Sequence, residues 1–433
     1  MDRRPDPRPG LPPGSRPGPR HVAVIGAGIV GVCAALYLQR DGHRVTLFDP
    51  RGPGEGASKG NGAVLAVESC VPVATPGIIR RVPGMLLDPL GPLTIRWHHL
   101  PRLAPWLARF LLASRPGRVE AASVALRALL VRAIDAYRPL VEGAGIAEMI
   151  RRTGWLAVYE SEAAFAKAQA ELALQRRRGV PMDVLRPEEI RQLEPSLAPI
   201  YRRGVFFPEN AYVLDNHRLV TALAEHFVRG GGTFLPEAVA GFNAVSEGAG
   251  AGPICVRTDV GQHTVNAVVV AAGAWSKDLA RRLGHRVPLD TERGYHVTLP
   301  NPGVTLRMPI YSGDYSFVST PLEHGLRFAG TVELGGLAAP PDYGRADVLL
   351  ERGRRMFPGL NAVGATKWMG FRPSLPDSLP VIGGSTRHRN AFFAFGHGHL
   401  GLTLGAITGR LIADLVAGRD PGIDMTPYRV DRF

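Results

Sequence analysis

The chain has 433 residues, of which 45% are hydrophobic and 21% charged, and its formal net charge is +13. That is ample apolar material for a large core and two or three domains of ordinary size. Cys33, Cys70 and Cys255 are widely spaced and form no CxxC pair, which excludes a disulfide scaffold and a zinc site and fits a reducing compartment. No metal site is expected. Nearly all the positive charge is arginine, since Lys59, Lys167, Lys277 and Lys367 are the only lysines. With no nucleic-acid module and no lysine tract, composition bias explains the charge, and no nucleic-acid partner is expected.

Residues 1–20 hold Pro, Gly and Arg with almost no apolar side chains, and read as a disordered basic lead-in rather than a signal peptide. The strand His21–Ile25, a glycine loop, an apolar helix from about Ile29 to Gln39 and a second strand, Arg44 to Phe48, make a βαβ start and predict a parallel sheet. Residues 51–77 are Gly-, Pro- and Ser-rich without helical period, and 78–150 read as helical, broken by prolines. Short strands such as Gly154–Tyr159 and charged helices follow up to about Gln192. Asp215 reads as the N-cap of a helix over Arg218–Arg229. Val265 to Ala271 reads as one strand buried on both faces. Residues 292–335 alternate as antiparallel strands with a turn at Glu323-His324-Gly325, and the chain ends with a strand, Ala391–Phe395, a glycine loop and a helix over Leu402–Ala417. No run of eighteen apolar residues exists, so no membrane span is expected.

Gly26-Ala27-Gly28-Ile29-Val30-Gly31 lies between strand and helix, where glycines permit the tight turn, the approach of pyrophosphate and close helix packing. The helix N-terminus offers free N–H groups to the phosphates. Asp49 ends the next strand, placed to accept from the adenosine ribose hydroxyls. This motif does not separate NAD from FAD. A second glycine loop, Gly396-His397-Gly398-His399-Leu400-Gly401-Leu402-Thr403, also opens a helix. It suits a flavin, whose reduction places negative charge on the N1–C2=O edge. Between the two, the strand ending in Ala271-Ala272-Gly273 lets backbone lie against a cofactor, and Trp275 either closes the pocket or is a core aromatic.

These three glycine-rich elements resemble the D-amino-acid oxidase superfamily of FAD enzymes, most of all the bacterial D-amino-acid dehydrogenase group. Ser58-Lys59-Gly60-Asn61-Gly62-Ala63, Arg293-Gly294-Tyr295 and Gly370-Phe371-Arg372-Pro373-Ser374-Leu375-Pro376-Asp377 carry the resemblance further, across residues 21–418. It implies an α/β (overall α+β) fold with a discontinuous Rossmann-like FAD domain (21–75, 205–290, 368–433). A substrate domain with an antiparallel sheet and helices would take 76–204 and 291–367. It implies that Asp49, Pro50 and Arg51 border the adenosine, that Ser58 and Asn61, Gly62, Ala63 and Val64 run beside the flavin, and that the Val239 backbone meets adenine.

Arg372 matches the arginine that grips a substrate carboxylate, a role suited to a guanidinium fork. Tyr295 and His296 are the candidates to orient the substrate, set against plain strand packing. His296 stands where the family often has a small residue. No cysteine follows Cys255, so FAD is expected to be non-covalent.

The implied reaction, in bacterial amino-acid catabolism, is oxidation of an amino acid to the imino acid by hydride transfer to flavin N5. The substrate would be a D-amino acid, with D-proline and hydroxyproline types included, and electrons would pass to a quinone or carrier. The alternatives are an O2-using oxidase of glycine- or sarcosine-type secondary amines, and an FAD-binding partner subunit of a hetero-oligomer. Arg80, Arg81, Arg96, Arg102 and Arg109 interleave with Leu86, Leu87, Trp97, Trp106, Phe110 and Leu111. That pattern suits either a cap on the substrate domain or an anionic membrane surface. The location expected is the cytoplasm, free or peripheral on the inner face of the plasma membrane.

Overall fold

The computed structural model describes residues 18–78, 91, 93–243 and 252–433. The lead-in expected over 1–20 lies almost wholly outside the described residues, as do Arg80, Arg81, Leu86 and Leu87. Along the chain, the elements that build the site are β1 (His21–Ile25), α1 (Ile29–Arg40), β2 (Arg44–Phe48), β3 (Thr233–Leu235), β4 (Ala267–Val270), β5 (Asp290–Leu299), β6 (Gly325–Leu334), β7 (Thr366–Ser374), β8 (Val381–Gly384), β9 (Ala391–Phe395) and α2 (Gly401–Val416).

One sheet runs β3-β2-β1-β4-β9-β8, parallel except for β8 at its edge. Its central strands are apolar throughout because α1 and α2 cover one face and a second hydrophobic cluster the other. The glycine loops after β1 and β9 and the Ala271-Ala272-Gly273 turn after β4 leave the carboxyl ends of three adjacent strands, where ligands of such sheets bind.

The Val265–Ala271 run is not one strand. Gln262–Val265 belongs to a three-stranded antiparallel sheet, and β4 begins afresh at Ala267. Asn266 makes the break: its side chain accepts from the His21 N–H at 2.8 Å and its own N–H donates to the His21 carbonyl at 2.8 Å. Polar pairing to the neighbouring strand thus ends one sheet and starts the next.

The second large sheet has nine strands among the described residues, with β7, β5 and β6 side by side at one end. The boundaries expected at 205 and 368 cut through its members Arg203–Phe207 and β7. The helices Pro116–Leu130 and Ala133–Ala144 pack on α2 rather than on this sheet. Prolines do not break every helix they enter: Pro105 and Pro139 lie inside helices, and Pro116 opens one.

Gly398–Val416 is one helical stretch apolar and long enough to cross a membrane, contrary to the expectation from run length. It is mostly buried, and it serves as a core helix against α1. The two helices touch through glycine: a methyl group on Gly409 would stand 2.6 Å from the Cys33 carbonyl carbon. Tyr137 straddles the pair, donating its hydroxyl to the Leu402 carbonyl at 2.5 Å. Alanine gains about 1 kcal/mol over glycine in a helix interior, while overpacking costs about 1–3 kcal/mol. Gly409→Ala is therefore expected to lower the urea midpoint without changing the slope of the transition, and an equal or higher midpoint would contradict this packing.

Candidate functional site

A cavity of about 900 Å3 opens along the carboxyl ends of β1, β4 and β9 and continues under β5, β6 and β7. At one end Gly26 turns the chain after β1 with φ +106°, and a side chain there would collide with the Ala271 carbonyl. Gly31 lets α1 lie on this turn, since a methyl group would overlap the Gly26 carbonyl oxygen. Asp49 fixes the loop: one carboxylate oxygen accepts from the Ala27 N–H at 3.0 Å and the other from the Arg51 N–H at 3.0 Å. The Ser58 hydroxyl accepts from the Ile29 N–H at 3.0 Å. The N–H groups of Val30 and Gly31 have no intrahelical partner.

Gly26, Gly28, Ile29 and Val30 reach the cavity wall, as do Asp49, Pro50, Arg51 and Ser58. Val239 joins them, with Glu237 and Ala238 beside it. Trp275 is 40% exposed rather than a core residue; the Arg51 guanidinium lies 4.5 Å above its ring, and Phe371 meets it edge-on. Ala272 and Gly273 complete the middle of the wall.

Further along, Asn61, Gly62 and Val64 face His397, Gly398, His399, Gly401 and Leu402. Six expected cofactor residues stand behind the wall and hold it. Ala27 and Gly31 shape the first turn. Ala63 takes φ +55° and donates its N–H to the Asn61 side chain at 2.8 Å. Gly396 packs on Leu375, Leu400 is core, and the Thr403 hydroxyl accepts from the Ala66 N–H at 3.1 Å. The His397 ring is buried against the Thr408 hydroxyl at 2.9 Å, and burial pushes it down to about 3. His399 is exposed on the open cavity wall, where desolvation by the protein around it and then Arg372 push it down to about 4. Both are neutral at pH 7, so the positive end of α2 comes from its backbone alone.

At the far end the guanidinium of Arg372 lies flat over Gly294, where any side chain would clash. It donates to the Thr331 carbonyl at 2.9 Å and, at 3.5 Å, to that of Gly330. A bulge in β6 aims these carbonyls: register shifts opposite Arg293–Tyr295, and Thr331 takes φ +56°. A left-handed β-branched residue costs about 1–3 kcal/mol and persists where surroundings over-determine it. Two carbonyls leave most of the five guanidinium N–H groups for a ligand.

The structure does not bring all three substrate candidates together. Tyr295 borders the cavity, but its hydroxyl is committed: it donates to the Glu333 carboxylate and accepts from the Asp342 N–H at 3.0 Å. Burial pushes it up to about 12. His296 is not on the cavity wall. It stacks on Trp368 and donates through Nδ1 to the Gly60 carbonyl at 2.7 Å, and burial pushes it down to about 3. It pins the 58–62 loop. The reading from sequence missed Glu292, Thr331 and Trp368, all on the wall. Glu292 was findable, because residues two apart in a strand share a face and Gly294 was already singled out.

The residues fit FAD: glycine turns where a Cβ would intrude, a carboxylate closing β2, and two helix N-termini facing one elongated cavity. Among the described residues no cysteine lines this cavity, and no cluster of three or more His, Cys, Asp or Glu could hold a metal ion.

His296 and His397 are held neutral far below the ordinary imidazole range, so between about pH 6.5 and 4 the unfolded chain binds more protons than the folded one. Their stabilisation is complete above pH 6.5 and falls on acidification, by about 1.4 kcal/mol per pH unit for each ring. Urea midpoints between pH 7 and 4.5 should fall more steeply for the wild type than for His296→Gln. Parallel slopes would contradict the burial of a neutral ring.

The family described as FAD dependent oxidoreductase (DAO) matches residues 21–415. The chain is similar, at 43% identity over 96% of its length and 100% of the relative, to a D-amino-acid oxidase of Bradyrhizobium diazoefficiens. It is 33% identical to a D-amino acid dehydrogenase of Paramagnetospirillum magneticum, over 95% and 98% of the two chains. Among solved structures, glycine oxidase from Geobacillus kaustophilus superposes with TM-score 0.73 at 23% identity, covering 96% of this chain and 99% of that one. L-proline dehydrogenase from P. horikoshii superposes with TM-score 0.70 at 21% identity, covering 96% and 98%. The glycine turns, the acid closing β2 and the match over nearly the whole length lead to one conclusion: the chain belongs to the DAO family of FAD-dependent oxidoreductases.

Proposed function

We propose that the protein oxidises a D-amino acid to its imino acid. The carrying observation is Arg372, presented on the cavity wall over the bare backbone of Gly294. Bound FAD supplies the acceptor for the α-hydrogen and its bonding pair. Arg372 binds the substrate carboxylate through its remaining N–H groups; Gly294 makes room for its guanidinium, and Gly370 for the Trp368 ring beside it. Phe317, Val318, Trp368 and Phe371 exclude water from the reacting carbon. No protein base need touch that carbon, so the residues act by positioning.

The D-configuration is supported by relatives named for D-amino-acid oxidation. Free imino acid is then hydrolysed by water. One charge-assisted bond contributes about 1.5–3 kcal/mol, so Arg372→Lys is expected to raise KM for D-alanine about 10- to 100-fold with FAD still bound. An unchanged KM would remove Arg372 from the carboxylate site.

For the electron acceptor we propose a quinone or carrier reached at an anionic membrane surface, with the protein in the cytoplasm or peripheral on the inner face of its membrane. The helix Leu100–Ala113 and the turn before it support this: Trp97 is 70% and Leu112 51% exposed beside exposed Arg102 and Arg109. Other members of the expected surface are used internally. Trp106 is buried and donates to the Ser374 carbonyl at 3.3 Å, and Arg96 pairs with Glu333. Co-sedimentation with phosphatidylglycerol vesicles at low salt, lost at high salt, is the expected result; no binding at low salt would remove the membrane. An oxidase reading is favoured by the 43%-identical relative's name. Hydrogen peroxide stoichiometric with substrate would support it over the quinone.

A further inference from the structure

Glu292 is a carboxylate on the cavity wall that the proposed reaction does not yet use. It is the direct cross-strand partner of Arg372, β5 against β7, so the two side chains leave the sheet on the same face. Such partners have Cβ atoms about 5 Å apart. The next pair, Gly294 and Gly370, has no side chains. Arg372 turns away to the carbonyls of Thr331 and Gly330, and Glu292 leans on Ser374. Two opposite charges thus stand side by side in a wall otherwise formed there by Phe317, Val318, Ala329, Trp368 and Phe371.

An amino acid enters as a zwitterion. Arg372 answers its carboxylate, but an ammonium group taken out of water without a partner costs several kcal/mol. We propose that Glu292 receives the substrate ammonium opposite Arg372 and takes one proton from it. This rests on the reading of the protein as an amino-acid-oxidising enzyme. In the step an N–H bond of the ammonium breaks and an O–H bond forms on Glu292. The electron pair stays on nitrogen, as the free amine required to push out the α-hydrogen with its bonding pair.

The groups acting on Glu292 are Arg372 and Ser374 from β7 and Asp290 from its own strand; His99 is bonded to Asp290 at 3.3 Å, and His399, from the turn before α2, acts on Arg372. Burial raises the Glu292 carboxyl above the usual carboxylate range, with Asp290 adding to this and Arg372 opposing it. His399, the other titratable neighbour of Arg372, is pushed down to about 4 and is a weak base.

The test compares wild type, Glu292→Gln and Glu292→Asp with D-alanine across pH, and measures benzoate binding through the flavin spectrum. Glu292→Gln should lower kcat/KM at pH 7 about 10- to 100-fold and move its acidic limb upward by at least about one pH unit, while Glu292→Asp restores most of both. Benzoate, a carboxylate without an amine, should bind Glu292→Gln at least as tightly as wild type. In the wild type alone, benzoate should weaken as pH rises through the acidic limb, because ionised Glu292 repels it. That measurement decides even where a variant fails to fold, and a constant benzoate Kd across the limb overturns the proposal. So does a Glu292→Gln profile superposing on wild type, or a loss confined to amino acids with basic side chains. A wild type that no amino acid reduces defeats the functional reading itself; one reduced by D-alanine with an indifferent Glu292→Gln defeats this inference alone.

Discussion

Contact between the first and last helices of the parallel sheet is the constraint on which the site depends. α1 and α2 approach until Gly409 rests on the Cys33 backbone, and Gly405 meets Ile29 and the Tyr137 hydroxyl. No residue with a Cβ at position 409 would allow that approach. Because it is made, the loops 26–31 and 396–401 open on the same edge of one sheet although they lie at opposite ends of the chain. The turn after β4 sits between them. A cofactor long enough to need two anion-binding ends is thereby served by helix dipoles from both termini of the fold.

A second principle governs the charges. The loop histidines are neutral, the Tyr295 hydroxyl is bound to Glu333, and Arg96 and Arg293 attend the same buried carboxylate. These groups hold shape. Charge left to act on a ligand at the substrate end belongs to Arg372 and Glu292. The bulge at Thr331 belongs to the same design, since it turns backbone carbonyls onto Arg372 and keeps the guanidinium over Gly294.

Most of the Rossmann-like half was legible in the sequence, because its requirements are local. Gly26 and Gly31 must be glycine where the turn, the neighbouring strand and the helix crowd together, and Asp49 must end β2 to reach the Ala27 N–H. The error at Val265–Ala271 came from reading apolar content without weighing Asn266, whose polar pairing ends one sheet and starts another. The substrate end was less legible because its assignments depend on which face of a strand looks inward. Alternation along β5 puts Glu292 and Gly294 on the cavity face and would put His296 there too, yet the His296 ring turns to Gly60 and Trp368, and the bulge that places Arg372 lies in the neighbouring β6. Neither bulge nor partner can be inferred from strand periodicity.

The central claim is that Arg372 and the cavity around it hold a D-amino acid for oxidation by bound FAD. The measurement that meets it most directly is anaerobic titration of the purified flavoprotein with D-alanine, D-proline, cis-4-hydroxy-D-proline, sarcosine and the L enantiomers, following flavin absorbance. Bleaching by at least one D-amino acid and not by its L enantiomer is the predicted result. A protein that holds FAD and is bleached by none of them would contradict the claim.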